Sequence, residues 1–446
     1  MKILIAGAGE VGFHVAKILA QEEHDIILID KDEERLAYVE NHIDVGTIRG
    51  NSVSIKLMEE ADVANTDLLI AATSSEETNI TTAIIAKHLG AKRTIVRISN
   101  PEFQIEKEKV DMAKLGIDSM VFPENLAADE IERLIKRSGL TDSFEFGGGR
   151  LLLTGVVLEP NADFVGKNMM EAAQLNTKVK FTVVAIQRNG KTIIPRGDSV
   201  FKASDHIYFI SRPECVGPMM RMAGKTQEKI KNIMILGGGL IARLFTKAMM
   251  HKFNIRLIDQ DKDKCFLLAE ELPEALVICG DGSQVDFLEE EGISEMDAFI
   301  ALTDDSETNI ISCLVAKNHG VKSAIALVEN IDYISLSQNI GIDTLINKKM
   351  IAINNIFRHV RQGQVVSLTS LHGVDSEVLE FEVHNSCRVA NVPIKKLAFP
   401  RDAIIAGVIR GDESFIAGGD TYIEEGDRVV VFTLPTAVHK VEEFFK

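Results

Sequence analysis

The first thirty residues contain the pattern that most restricts how this chain can fold. A short apolar run at residues 2–6 leads into Gly7-Ala8-Gly9-Glu10-Val11-Gly12, a helical stretch follows, and a second apolar run ends at Asp30. The three glycines permit, in turn, a tight turn, close approach of a pyrophosphate, and close packing of a helix on a strand. The helix N-terminus would then face the phosphates. The pattern predicts the strand, helix and strand of a Rossmann-like dinucleotide-binding unit.

Asp30 adds a prediction about the ligand. A carboxylate at the end of the second strand can accept hydrogen bonds from both hydroxyls of an adenosine ribose, whereas it would repel a 2′-phosphate. NAD is therefore favoured over NADP, but ATP or ADP would suit the same acid, and the choice among them stays open. A glycine turn without a ligand is the alternative interpretation. Glu10 is expected to complement the helix dipole rather than to perform chemistry.

Composition excludes several classes of function. The 49 basic and 66 acidic residues give a net charge of −17, which argues against nucleic-acid binding and against attraction to anionic lipids. No apolar run approaches the roughly 18 residues that span a bilayer, so we expect no direct membrane insertion and any membrane role to come through a partner. The cysteines show neither a C-x-x-C pair nor metal-ligand spacing, which predicts a reducing cytoplasm and no metal site; they stand at positions 215, 265, 279, 313 and 387.

Apolar strands alternate with helices through the first 140 residues. The predicted strands after the second lie at residues 45–49, 67–72, 94–98 and 118–122, and a helix follows to about residue 137. Ser52 is expected to cap the helix that ends near Asp62, and Ser74 with Glu77 is expected to form a capping box. This alternation predicts βαβ units in a parallel sheet, with the strand ends facing one crevice.

The same pattern returns about 230 residues later, which indicates an internal duplication. A second fingerprint, Gly237-Gly238-Gly239-Leu240-Ile241-Ala242, follows an apolar run, and Asp259 ends the next one as Asp30 does. Residues 280–283 correspond to 50–52, and residues 303–310 to 73–80. The second copy has Ala242 in place of the third glycine and Leu327 in place of Arg97. The first copy is therefore the better candidate for a ligand site.

Two smaller segments, at residues 144–216 and 366–446, also resemble each other. Residues 183–190 match 405–412, and residues 203–210 match 424–432. The predicted fold class is thus α/β, with two Rossmann-like parallel-sheet domains, each followed by a small α+β domain. The predicted order is a Rossmann-like domain at 1–140, a small domain at 141–217, a linker at 218–230, a second Rossmann-like domain at 231–363 and a second small domain at 364–446.

This order of modules resembles the TrkA family, the regulatory subunits of Trk-type bacterial potassium uptake. The family combines RCK/KTN nucleotide-binding domains with TrkA-C domains, and the resemblance covers essentially the whole chain. It rests on the fingerprint, Asp30, residues 50–52 and 73–79, Arg97 and the second-copy equivalents. The resemblance implies a cytoplasmic protein, peripheral at the inner face of the plasma membrane, that gates a potassium-translocating membrane subunit. It also implies a homo-oligomer, with four chains forming a ring of eight domains.

The resemblance further implies which residues would contact NAD(H), or alternatively ATP or ADP. In the first half, the fingerprint would face the phosphates and Asp30 the ribose, and the rest of the pocket would include Asn51, Thr73, Ser74 and Arg97. In the second half, the equivalent residues are Gly237, Gly238, Gly239, Leu240, Ile241, Asp259, Asp281, Thr303 and Asp304. No catalytic residue is implied.

An NAD-dependent oxidoreductase is the alternative. Such an enzyme needs a substrate domain that sets an acid or base against the nicotinamide. The segments outside the Rossmann-like halves are short, and none of the four tyrosines is followed four residues later by lysine. We therefore expect a binding protein rather than an enzyme.

Overall fold

The computed structural model describes residues 1–20, 24–105, 109–136, 140–175, 178–225, 230–330, 333, 342–360, 365–370 and 376–446. These residues form two six-stranded parallel sheets and two five-stranded antiparallel sheets. The predicted fold class is confirmed. The chain divides into two compact units: unit 1 comprises Met1–Ala127 and Asn347–Val360, and unit 2 comprises Ala128–Ile346 and Arg361–Lys446.

The sheet of unit 1 has the strand order β3-β2-β1-β4-β5-β6. Its strands are β1 Lys2–Ala6, β2 Asp25–Asp30, β3 Gly46–Arg49, β4 Leu68–Ala71, β5 Arg93–Arg97 and β6 Ser119–Val121. The helices of this part of the chain are α1 Glu10–Ala20, α2 Glu33–His42, α3 Ile55–Glu60, α4 Glu76–Leu89, α5 Glu102–Ile105 and α6 Pro123–Lys136. All four residues of β4 are buried, as expected for a central parallel strand covered on both faces.

Two predicted helix starts in unit 1 are wrong by one or two residues. The cap of α3 is Ser54, whose side chain accepts from the Leu57 amide at 3.4 Å, whereas Ser52 is buried and hydrogen-bonds with Thr82 at 2.8 Å. The cap of α4 is Ser75, which accepts from the Thr78 amide at 3.0 Å, so the predicted capping box of Ser74 and Glu77 does not form. In each case the cap is a serine one or two positions further along, and it accepts from the amide three residues after it.

The first antiparallel sheet has the order β10-β9-β11-β8-β7. Its strands are β7 Asp142–Phe146, β8 Leu151–Val157, β9 Phe181–Arg188, β10 Lys191–Ile193 and β11 His206–Ser211, and the helices α7 Met169–Gln174 and α8 Pro213–Met222 accompany them. Helix α8 extends into the predicted linker, of which residues 226–229 lie outside the described residues.

The second parallel sheet repeats the first, with the order β14-β13-β12-β15-β16-β17. Its strands are β12 Asn232–Leu236, β13 Asn254–Asp259, β14 Leu276–Cys279, β15 Ala298–Ala301, β16 Ser323–Leu327 and β17 Thr344–Ile346. The helices that follow its strands are α9 Leu240–Met249, α10 Lys262–Glu271, α11 Val285–Glu290, α12 Ser306–Asn318 and α13 Lys348–Val360. Helix α13 belongs to unit 1, although the sequence assigned it to the domain at 231–363.

The second antiparallel sheet has the order β18-β19-β22-β20-β21, and a short helix follows it. The elements are β18 Val365–Ser370, β19 Glu377–Glu382, β20 Ala403–Arg410, β21 Glu413–Ile416, β22 Arg428–Thr433 and α14 Val438–Glu442. Both antiparallel sheets lie in unit 2 and contribute to one apolar core that includes Phe146, Tyr208, Val378 and Phe432. The predicted boundary at 363/364 falls outside the described residues, and the domain boundaries as a whole stay predictions.

Candidate functional site

A cavity of about 450 Å³ lies in unit 1 at the carboxyl ends of its parallel strands. This volume is in the range of about 300–1,000 Å³ that is typical of small-molecule sites. The cavity is lined by Gly7, Gly9, Glu10, Val11, Ile29, Asp30, Lys31, Arg35, Gly50, Ser52, Ala72, Thr73, Ser74, Ser75, Thr78, Arg97 and Lys349.

The glycine loop is shaped by how close the backbone comes to its neighbours. Gly7 has φ +109°, and its amide donates to the Ile29 carbonyl at 2.8 Å, which closes the turn out of β1. A Cβ at Gly12 would lie 1.8 Å from the Gly7 carbonyl oxygen, so α1 can pack this tightly only without a side chain there. A Cβ at Gly9 would meet only the Arg35 guanidinium, at 3.7 Å. The open space at Gly9 faces the cavity.

Asp30 holds the loop and still lines the cavity. Its Oδ2 accepts from the Ala8 amide at 2.6 Å, and its Oδ1 accepts from the Asp32 amide at 2.9 Å. An ionised carboxylate has about four acceptor positions, so two further hydrogen bonds from a ribose can be accommodated. Ala8 does not line the cavity, but its amide orients the carboxylate that does.

The opposite wall depends on Asn79, which the sequence did not identify as a site residue. Its side-chain oxygen accepts from the Thr73 amide at 2.8 Å and from the Thr73 hydroxyl at 2.7 Å. Its side-chain nitrogen donates to the Arg97 carbonyl at 3.0 Å. Asn79 therefore fixes both Thr73 and the end of β5 at the cavity edge. The signal was present, because the same Thr and Asn recur at 303 and 309.

Most of the predicted first-half residues come together around this cavity. Those that line it are Gly7, Gly9, Glu10, Val11, Asp30, Thr73, Ser74 and Arg97. Asn51 does not line it; its side-chain oxygen accepts from the Val53 amide at 3.3 Å, and its neighbours Gly50 and Ser52 line the wall instead. The lining residues that the sequence missed are Ile29, Lys31, Arg35, Gly50, Ser52, Ala72, Ser75, Thr78 and Lys349.

Lys349 comes from a distant part of the chain. It is the second residue of α13, which packs against α1 within unit 1. Its ammonium lies 2.8 Å from the Glu10 carboxylate. Asn347 caps α13 by accepting from the amides of Lys349 and Met350, both at 3.0 Å. No local pattern could place this lysine at a site built by the first 97 residues.

The second half forms a similar loop with a different acid environment. Gly237 has φ +95°, and Asp259 accepts from the Gly238 amide at 2.7 Å, as Asp30 does from Ala8. Asp259 is also buried and lies 2.6 Å from the Lys264 ammonium. Burial raises the pKa of Asp259, but the hydrogen bonds from Lys264, Asp261 and Gly238 outweigh it, and the net shift is downward. This carboxylate has less acceptor capacity left for a ribose.

The other predicted second-half residues are arranged as follows. Asn309 holds Thr303 as Asn79 holds Thr73, with bonds of 3.0 Å and 2.7 Å. The Asp281 carboxylate accepts from Ser283 at 2.7 Å and from Gln284 at 2.9 Å. Gly238 leaves little room, since a Cβ there would lie 2.4 Å from Leu268. The remaining positions are Gly239 before α9, Leu240 and the buried Ile241 at its start, and the exposed Asp304 after β15.

The described residues show neither a membrane-spanning helix nor a cluster of metal ligands. They contain no helix that is long and apolar enough to cross a membrane. Within the same parts of the chain, no group of three or more His, Cys, Asp or Glu side chains is placed to hold a metal ion.

Comparison with protein families matches all four modules. The model of the TrkA-N domain matches residues 3–123 and 233–348, and that of the TrkA-C domain matches residues 153–216 and 378–446. Fold and site define a duplicated chain of Rossmann-like domains, each followed by a small antiparallel domain, with a cavity in the first that several charged and hydroxyl side chains line. The chain belongs to the TrkA family, which confirms the resemblance seen in the sequence.

Full-length relatives agree with this assignment. The chain is 34% identical to Trk system potassium uptake protein TrkA homolog 1 of Methanosarcina mazei, over all of both chains. It is 33% identical to Trk system potassium uptake protein TrkA of Haemophilus influenzae, covering 100% of this chain and 99% of that protein.

The fold is similar to that of the GsuK RCK domain, with a TM-score of 0.61 and 15% identity over 100% of this chain and 94% of the other. The GsuK channel bound to NAD has a TM-score of 0.62 and 15% identity, over 100% of this chain and 78% of the other. GsuK bound to ADP has a TM-score of 0.50 and 14% identity, over 81% of this chain and 69% of the other.

Proposed function

We propose that this chain is a nucleotide-binding regulatory subunit that gates a Trk-type potassium-translocating membrane subunit. The observation that carries the proposal is the cavity of unit 1, in which the glycine loop and Asp30 lie together at the carboxyl ends of parallel strands. Family membership supports the transport role, since full-length relatives are named as potassium uptake proteins. A second function is not favoured by any feature of this cavity.

NAD(H) is the proposed ligand, and ATP or ADP is the alternative. Asp30 suits an adenosine ribose, and the open space at Gly9 suits a pyrophosphate, which all these nucleotides share. The similar GsuK channel has structures with NAD and with ADP, which supports the same two classes here. The proposed contacts are the predicted residues that line the cavity. The second site is the weaker candidate because Lys264 already engages Asp259.

Gating would follow from a ligand that binds two shapes of the assembly unequally. A tenfold preference at one site corresponds to about 1.4 kcal/mol, and several identical sites in one assembly add to a larger bias. We propose a homotetramer whose eight Rossmann-like domains form a ring in the cytoplasm, at the inner face of the plasma membrane. Light scattering should then give about four times the chain mass of 49.1 kDa.

Nucleotide binding is tested by calorimetry with NAD, NADH, ADP and ATP, and by thermal shift, because a ligand of the native state raises its apparent stability. We expect at least one of them to bind below millimolar concentration. Asp30→Ala should weaken that binding by about tenfold or more, since it removes hydrogen bonds to a charged acceptor. The matched control, Asp259→Ala, should leave the first site intact. Absence of binding by all four nucleotides would refute the proposal.

Gating is tested by potassium-limited growth of a strain that lacks the gene and other uptake systems. The wild-type chain should restore growth, and Asp30→Ala should change how uptake responds to the nucleotide. Equal uptake with and without the chain would count against the transport role. Catalysis is not part of the proposal, and substrate-dependent NADH oxidation that Asp30→Ala abolishes would favour the oxidoreductase instead.

A further inference from the structure

We infer that Lys349 is a phosphate-binding residue of the unit 1 cavity, and that its pairing with Glu10 makes this cavity select nucleotides by the charge of their phosphates. The inference rests on the proposed nucleotide binding and deepens it. It names the feature of the ligand that the site recognises and assigns that recognition to two residues more than 300 positions apart in the chain.

The geometry places both side chains at the phosphate end of the cavity. Glu10 is the first residue of α1, the helix whose N-terminus follows the glycine loop. Lys349 also lines the cavity, with its ammonium 2.8 Å from Glu10 and its side chain only 19% exposed. A phosphate held by the amides of that helix N-terminus would lie beside this pair. The half-buried ammonium and the carboxylate would therefore act on the ligand directly.

The charges that line the cavity favour an anion. Four side chains are basic, namely Lys31, Arg35, Arg97 and Lys349, and two are acidic, namely Glu10 and Asp30. This local positive excess stands out in a chain with a net charge of −17. The ammonium of a lysine binds phosphate as a compact point charge. A bound phosphate would therefore compete with Glu10 for Lys349.

The pair gives the cavity a means of discrimination. The phosphates of NAD carry less negative charge than those of ADP, and those of ADP less than those of ATP. Each added negative charge on the phosphates strengthens the attraction to Lys349 and also the repulsion from Glu10. The two residues therefore have opposite effects on how binding depends on phosphate charge. Removal of the lysine should penalise ATP most, and removal of the carboxylate should favour ATP most.

The second half does not repeat this pair. The residue that corresponds to Glu10 is Leu240, at the start of α9. The second residue of the helix that follows β6, in the position that Lys349 has after β17, is Glu124. The acidic residue is thus replaced by leucine at the first position, and the lysine is replaced by glutamate at the second. The inference therefore applies to the first cavity alone.

The test is calorimetry of the full chain with NAD, ADP and ATP. Lys349→Met should weaken ATP binding by about tenfold or more, which is the value of one hydrogen bond to a charged group. It should weaken NAD binding by less. Glu10→Gln should strengthen ATP binding relative to NAD binding by several-fold, because the repulsion between the carboxylate and the phosphates is removed. The slope of ATP affinity against salt should become shallower in Lys349→Met, because fewer cations contact the phosphates.

Controls separate a specific contact from general charge or misfolding. Lys348→Met removes the neighbouring charge, which does not line the cavity, and should leave the three affinities within about twofold, since a charge outside the cavity is more distant from the phosphates and more strongly screened. Lys349→Arg keeps the charge and should keep most of the ATP affinity, and circular dichroism confirms the fold of each variant. Equal affinities in the wild type and Lys349→Met overturn this inference alone. A wild-type chain that binds none of the nucleotides overturns the proposed function as well.

Discussion

At the residue scale, two glycines of the loop differ in their surroundings, since Gly12 is closely packed and Gly9 borders the cavity. Gly12 lies where a Cβ would overlap the Gly7 carbonyl, whereas Gly9 lies where a Cβ would enter open cavity space. The second copy has Ala242 at the position of Gly12, buried within α9. The two copies therefore share the turn but differ in how closely the following helix can approach it.

We predict opposite effects for alanine at these two glycines. Gly12→Ala should lower the free energy of unfolding by about 2–4 kcal/mol, because the backbone of α1 must move away from Gly7. Gly9→Ala should change it by no more than about 0.5 kcal/mol but weaken NAD about tenfold, because its Cβ occupies the space for the pyrophosphate. Urea unfolding and calorimetry measure the two quantities. Equal stability losses in both variants would contradict the assignment.

Also at the residue scale, His206 makes stability depend on pH. It is buried in unit 2, with its Nε2 2.5 Å from the Thr141 hydroxyl and 3.6 Å from the Asp142 carboxylate. Burial lowers the pKa of His206, although Asp142 opposes the shift. The unfolded chain therefore binds a proton at a higher pH than the folded chain, and the free energy of unfolding falls as pH drops below about 6.5.

We predict that this slope is no more than about 1.4 kcal/mol per pH unit, the limit for a single proton, and that His206→Gln makes it shallower. Urea unfolding between pH 7.5 and the lower limit of reversibility measures the slope. His251→Gln, at an exposed histidine paired with Glu274, is the matched control for the substitution, and the slope in His206→Gln should be shallower than in this variant. If the His206→Gln protein loses stability with falling pH as steeply as the wild type, the buried histidine is not the cause.

At the scale of elements, the loop from β4 to α4 and the loop from β15 to α12 are built in the same way. Asn79 and Asn309 each accept from the amide and hydroxyl of the preceding threonine and donate to the end of the next strand, at 3.0 Å and 2.9 Å. The caps differ, since Ser75 begins one helix and Asp305 the other. Duplication preserved the asparagine, while the capping residue changed between equivalent types.

We predict that Asn79→Ala and Asn309→Ala each cost about 2–4 kcal/mol of stability, because several buried polar groups lose their partner. Asn79→Ala should also weaken nucleotide binding, since Thr73 and Arg97 line the cavity. Asn309→Ala should leave that binding unchanged and serves as its control. Chemical denaturation and calorimetry measure both effects, and a loss below 1 kcal/mol in both variants would show that the loops hold without the asparagines.

At the scale of the whole molecule, unit 1 is formed by two segments that are far apart in the sequence. The chain passes from Ile346 in unit 2 to Asn347 in unit 1, and the buried Asn347 begins α13 two residues before Lys349. A ligand that engages Lys349 would thus act close to the point where the chain crosses between the units. The link between Ile346 and Asn347 is therefore the place at which an effect of the ligand on unit 2 can be tested.

We predict that NAD or ATP slows hydrogen exchange in three separated parts of the sequence. Protection should appear in peptides that cover residues 5–12 and 72–79, and also in peptides that cover residues 347–357, because a bound ligand suppresses local opening. Peptides that cover residues 237–245, at the second glycine loop, should change less. Protection of the first two regions without any at 347–357 would show that α13 does not sense the ligand.

The sequence by itself determined the repeated parallel sheets, the glycine turns and the acids at the ends of β2 and β13. These features are local, since each depends on apolar periodicity or on a backbone conformation that only certain residues adopt. The same reasoning placed Asp30, Thr73 and Arg97 near one crevice, because parallel strands end at the same edge of a sheet.

Tertiary structure alone decided the features that depend on residues far apart in the chain. It paired Ser52 with Thr82, so that Ser52 does not cap α3, and it linked Asn79 to the Arg97 carbonyl at the end of β5. It also brought Lys349 to Glu10 across more than 300 positions. Helix α13 joins unit 1 because its packing on α1 is a contact between distant segments, which no periodicity within either segment specifies.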